Sequence, residues 1–96
     1  MKIMNKYLIK REIPNASSIP TDKLDSTGKH SESILIEMRN EGKSIEQEHS
    51  YIAGDCVYCV YNADSVDLLK EHAQRAGMPA NEITLISNEL EHNTNN

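Results

Sequence analysis

The stretch that most limits the fold is IEQEHSYIAGDCVYCVY, residues 45–61. Two runs rich in β-branched and aromatic residues flank a short connector containing Gly54, which is the pattern of a β-hairpin. The rest of the chain has to be arranged around it. Upstream, KYLIKREIP (6–14) carries Tyr7, Leu8, Ile9 and Ile13 and stops at Pro14. That predicts a strand with a hard end, because proline donates no ladder hydrogen bond. NASSIP (15–20) is a loop of turn formers. Thr21 can cap a helix whose first turn holds Asp22 and Asp25, where the helix dipole favours acids. Leu24, Gly28, Ser31, Leu35 and Met38 then recur at helical steps, and Gly42 suits the residue after the helix. The first half of this stripe is weak, so it is expected to pack loosely or near a loop.

Downstream, NADSVDLLKEHAQRAGMP (62–79) is the clearest helix. Asp64 is its expected N-cap with Asp67 at the third position, Val66, Leu69, Ala73 and Ala76 form its apolar stripe, and Gly77 and Pro79 end it. NEITLISNEL (81–90) reads as a last strand, and EHNTNN (91–96) as a disordered polar tail. The order β-α-β-β-α-β predicts a single α+β, ferredoxin-like domain over residues 1–90. Its four-stranded antiparallel sheet carries both helices on one face. The other face is left bare, and the tyrosines and valines of the hairpin fall on both sides. A second copy packed sheet to sheet would cover it, so a homodimer is expected.

Composition narrows the partners. Fifteen acidic residues against ten basic ones give a formal charge of −5. No basic stripe exists to neutralise phosphates or an anionic membrane surface, so neither nucleic acid nor membrane is an expected partner. The start, MKIMNKYLIKR, lacks a signal-length apolar run, and no stretch approaches a membrane span. The protein is therefore expected in the cytoplasm with both cysteines as free thiols. With no Trp and no Phe, the core must come from Leu, Ile, Val, Tyr and Met.

CVYC (56–59) has the spacing of a redox pair or half a zinc knuckle. Its surroundings exclude both. Redox pairs sit at helix N-termini and knuckles in glycine turns, whereas this pair lies in a strand, where residues three apart face opposite ways. Each cysteine therefore acts alone. Cys56 reads as a small core hydrophobe. For Cys59 the parity of the hairpin loop matters. An odd loop puts His49 on the face of Val57, Cys59 and Tyr61; an even one puts it with Cys56, Tyr58 and Val60. Gly54 suits either, and the odd case is the one favoured here.

The segments KYLIKREIPNA, HSYIAGDCVYCVYNA and LLKEHAQRAGMPANEI resemble a family of small bacterial nickel-binding-protein-like domains, once catalogued only as a domain of unknown function. The likeness spans roughly residues 6–90. It implies a ferredoxin-like dimer, with nickel or another divalent transition metal as the cofactor and no organic one. Where relatives carry an apolar pair before His-Ser-Tyr, this chain has Gln47 and Glu48. Where they tend to carry lysine, it has Cys56.

The candidate metal ligands are His49, Cys59, His72 and Glu12. Imidazole and thiolate suit a borderline ion, and a carboxylate adds oxygen. Each also has a plainer role: His49 as a surface histidine, Cys59 in the core, His72 beside the dipole at a helix end, Glu12 in a salt bridge. Tyr51 and Tyr61 are the candidates for a ligand surface. His30 and His92 match nothing. Three functions compete. The first is a metal-binding protein that sequesters or senses, marked by converging His, Cys and carboxylate groups. The second is a small enzyme or ligand-binding domain resembling cofactor-independent monooxygenases, marked by an enclosed apolar cavity with a polar group. The third is a structural dimer. Nucleophilic catalysis finds no support, since Ser50 and His49 are adjacent and face apart.

Overall fold

The computed structural model describes residues 4–91. The elements are β1 (Asn5–Glu12), a 3-10 turn (Ala16–Ser18), α1 (Thr21–Asn40), β2 (Ile45–Ala53), β3 (Cys56–Ala63), α2 (Val66–Ala76) and β4 (Glu82–Leu85). The four strands form one sheet in the order β2-β3-β1-β4, and every pairing is antiparallel. This is the α+β arrangement expected from the order of elements.

Alternation along β1 buries Tyr7, Ile9 and Arg11 and turns Lys6, Leu8, Lys10 and Glu12 the other way. The inward set joins Cys59, Tyr61 and Ala63 of β3, Ile45 of β2, Leu35 and Met38 of α1, and Leu69 of α2 in one apolar cluster. Both helices therefore lie on one face of the sheet. In α1 the expected stripe is present, but full burial begins only at Ser31; Leu24 is half-buried and Gly28 exposed. The loose first half of the stripe is real, and it opens a cavity described below.

The helix ends refine the expectations. Thr21 is the first residue of α1 rather than its cap, because Pro20 occupies the N-cap in an extended conformation. Gly42 does follow the C-cap, and the Lys43 N–H reaches back to the Met38 carbonyl at 3.0 Å. Ser65, not Asp64, precedes α2, and no side-chain hydrogen bond closes a capping box there. Gly77, at φ 69, ends α2 in the left-handed region, with the Met78 N–H on the Ala73 carbonyl at 2.9 Å. The last strand is much shorter than 81–90. It pairs from Lys10 to Tyr7 of β1 and adds one bond from the Ile86 N–H to Lys6, after which β1 itself runs out. The tail beyond Glu91, including His92, lies outside the described residues.

The hairpin corrects the favoured parity. Ala53 pairs with Cys56, so the loop is the two residues Gly54 and Asp55, an even loop. Gly54 takes φ 60, as a type II′ turn requires at its first centre. The tip is clamped by the 3-10 turn: the Ser17 N–H and hydroxyl both bond the Gly54 carbonyl, at 3.1 and 2.8 Å. Further along, β2 carries a bulge. Gln47 pairs with Tyr61 and His49 with Val60, leaving Glu48 as the extra residue. The bulge lets Ile45 turn into the core while His49, four residues on, turns out. Without it, regular alternation would place both on the same face.

Candidate functional site

A row of buried polar side chains crosses the sheet beneath the helices. Arg11, from β1, one of the two central strands, is only 2 % exposed. Its Nη1 donates to the Pro79 carbonyl at 2.7 Å and its Nη2 to the Tyr61 hydroxyl at 3.1 Å. The guanidinium carbon lies 5.9 Å from the Tyr61 ring centre. Tyr61 Oη then stands 3.5 Å from His72 Nδ1, and His72 Nε2 is 3.2 Å from both the carbonyl and the hydroxyl of Ser31. One tautomer satisfies the whole row. Nε2–H donates to the Ser31 carbonyl, and Nδ1 accepts from the tyrosine, whose oxygen accepts from arginine.

Electrostatics agree with that proton placement. Burial pushes the His72 imidazole below the ordinary histidine value, and the positive Arg11 adds to this against the Ser31 backbone bond, which pulls the other way. Burial likewise raises the Tyr61 phenol, opposed by Arg11. Both groups are therefore neutral near pH 7.

Above this row is a cavity of about 370 Å³ between the sheet and the first half of α1. Its walls are mainly apolar, from Ile13, Ile19, Leu24, Ile52, Val57 and Met78. Arg11, Tyr61, Ser31, Gln47 and Ser50 supply polar groups. Gly28 sits on the helix wall, and a Cβ added there would meet nothing within 4 Å. It is a partly open, mainly apolar pocket, and neither His49 nor His72 lines it.

The residues singled out as metal ligands are divided between two faces. Cys59 is buried on the helix side, where the Ser50 hydroxyl donates to its sulfur at 3.1 Å. Ser50 is itself bonded by the Gln47 amide. His72 is fully buried, neither at an exposed helix end nor over a sheet edge. His49 is on the opposite, open face. Glu12 is on the open face too, at the far end of β1, where it pairs with Cys56 and not with Cys59. Strand β1 does lie beside β3 as expected, but alternation turns Glu12 away from the Cys59 side. Among the described residues, no three His, Cys, Asp or Glu side chains come together as a metal-holding group. His30 is exposed. Cys56 and Cys59 are both free thiols, and they lie on opposite faces as strand geometry demanded.

The two tyrosines also part company. Tyr61 belongs to the buried row, whereas Tyr51 is 61 % exposed on the open face, its ring edge-on to His49 with centres 5.0 Å apart. Beside them Glu48 binds Lys6 at 2.9 Å and accepts from Asn62 at 2.8 Å. The lysine bond, followed by the asparagine bond, holds the Glu48 carboxyl below its ordinary value.

Arg11 and Ser31 were not among the sequence candidates. Arg11 had a signal: it follows Tyr7 and Ile9 at steps of two, on the inward phase of β1. Ser31 stands in the helical stripe, where its position marks burial but not its bond to His72.

No helix of the described residues is long and apolar enough to cross a membrane. A search of curated proteins gives no match. Among solved structures, the crystal structure of SCO4226 from Streptomyces coelicolor A3(2) superposes with a TM-score of 0.70 at 16 % identity, covering 88 % of this chain and 99 % of that one. At that identity the likeness bears on the fold. The family model described as nickel responsive protein SCO4226-like matches residues 7–86, from the third residue of β1 to just past the end of β4. The chain is a member of the SCO4226-like family of nickel responsive proteins.

Proposed function

We propose that this is a nickel-responsive binding protein of the cytoplasm, one that sequesters or senses the metal and is not a catalyst. It works as a homodimer joined through the open sheet faces, with nickel held between copies. The observation that carries this reading is His49. It is exposed on the uncovered face, edge-on to the Tyr51 ring and near the Glu48 carboxylate, whose charge it helps to stabilise, and no hydrogen bond among the described residues engages its imidazole nitrogens. Imidazole is a good nickel ligand. One chain alone does not present a closed ligand set, since Cys59 and His72 face the helices. A second copy would supply a second His49 and cover Tyr51, and the formal charge of −5 favours a cation.

The test exposes untagged protein to equal nickel, zinc, copper and cobalt, followed by elemental analysis and sedimentation. We expect wild-type dimer to retain nickel in near-stoichiometric amount and folded His49→Ala to lose it. Failure of folded wild-type protein to retain any of the metals would overturn the proposal.

A further inference from the structure

We propose that the cavity beneath α1 is a binding site for a small organic carboxylate, with the carboxylate on the Arg11–Tyr61 pair and an apolar body in the cavity. The site is distinct from the open face that carries His49. The argument starts from charge. Arg11 is 2 % exposed, yet its hydrogen-bond partners are the Pro79 carbonyl and the Tyr61 hydroxyl, both neutral. Among the described residues, no carboxylate forms an ion pair with it. Arginine stays charged in proteins, and a buried charge without a counter-ion is costly. The neighbouring His72 is neutral and supplies none. A fold that keeps such a group has a use for it.

Geometry gives that use. A guanidinium has five N–H donors in a planar fork. Two are taken, one at 2.7 Å and one at 3.1 Å, which leaves three. Arg11 and Tyr61 both line the cavity, so an anion held there adjoins both groups. Carboxylate matches that fork in a bidentate manner, and the Tyr61 hydroxyl, only 3.5 Å from His72, can turn its proton to the same anion. The remaining walls, including Ile19, Leu24, Ile52 and Val57, favour a hydrocarbon body. At about 30 Å³ per water-sized unit, the 370 Å³ accommodates roughly a dozen non-hydrogen atoms, the size of a medium-chain monocarboxylate.

The test titrates folded protein with octanoate by calorimetry. It uses 1-octanol as the uncharged body and acetate as the bare head group. Octanoate should saturate one site per chain, with 1-octanol and acetate each at least tenfold weaker. Arg11→Gln should bring octanoate down to the level of 1-octanol. Because Arg11 also supports the fold, Gly28→Leu provides a second arm. Its side chain enters open space at the cavity wall, so the protein should unfold cooperatively as before, retain nickel like wild type, and bind octanoate at least tenfold more weakly. Absence of saturable octanoate binding, equal binding of octanoate and 1-octanol by wild type, or octanoate binding undisturbed by Gly28→Leu would each overturn the proposal.

Discussion

Replacing Tyr61 by phenylalanine removes one oxygen and nothing else, which makes it a clean probe of how the buried charge is held. The ring is 1 % exposed, and phenylalanine refills its place. What is lost is the acceptor for Arg11 Nη2 at 3.1 Å and the donor to His72 at 3.5 Å. A hydrogen bond to a charged group is worth about 1.5–3 kcal/mol. The histidine contact is longer than a well-formed bond and adds little. Tyr61→Phe should therefore cost about 2 kcal/mol, most of it from a guanidinium left short of one acceptor. In urea this lowers the midpoint by about 1–2 M, and on heating it lowers Tm by about 8–16 °C for a chain of this size. The comparison belongs at a pH above the ordinary histidine range. Burial holds the folded His72 below its unfolded value, so its neutral form supports the fold there, and that support is lost as pH falls below about 6.5. A loss smaller than about 0.5 kcal/mol, the range of an inert surface change, would refute the reasoning. It would mean that water in the cavity solvates Arg11 as well as the phenol does.

Two further outcomes are expected. Glu41 is held at about 2, first by its bond to Arg75 and then by Lys43. Its contribution is thus complete above the ordinary carboxylate range and lost as pH falls toward 2; Tm measured across that acid range should decline less steeply in Arg75→Gln than in wild type. Gly77 and Gly28 should respond oppositely to alanine in urea unfolding. Gly77, at φ 69, should lose about 1 kcal/mol to left-handed strain, whereas Gly28, inside α1 with open space at its Cβ, should gain about 0.8–1 kcal/mol in helix propensity.

Much of the fold was legible because its signals are local. Pro14 stops β1, Gly77 and Pro79 stop α2, and the period of the apolar residues separates strands from helices. The split of Cys56 and Cys59 between faces followed from strand geometry alone. The weak first half of the α1 stripe, with Gly28 and Ser31 where larger apolar residues would pack, carries the expectation of loose packing; the cavity there comes from the structure. The arrangement of the site was harder to read because it depends on pairing. The face of His49 hinges on a loop of two residues, and the bulge at Glu48 shifts everything upstream of it, which no local pattern announces. The helical pattern places His72 at the side of α2, one residue before Ala73 of the stripe; the structure buries both, since Ser31 and Tyr61 supply partners from two other elements. Composition alone assigns Arg11 to the surface, where arginine usually sits, although its phase along β1 is inward.

The bulge at Glu48 makes β2 two strands in one. In its first segment, ending at Gln47, the odd-numbered residues face the helices through Ile45; in its second, from His49 to Ala53, the odd-numbered residues face the opposite way while Ser50 and Ile52 face the helices, and this segment is tied to the clamped hairpin tip. Side chains in the two segments thus obey separate frames. Substitutions that remodel the outward His49–Tyr51 surface leave the inward anchoring of Ile45 untouched, and repacking around Ile45 leaves that surface in place. A single extra residue thus sets the outward surface of β2 and its inward anchor on separate registers.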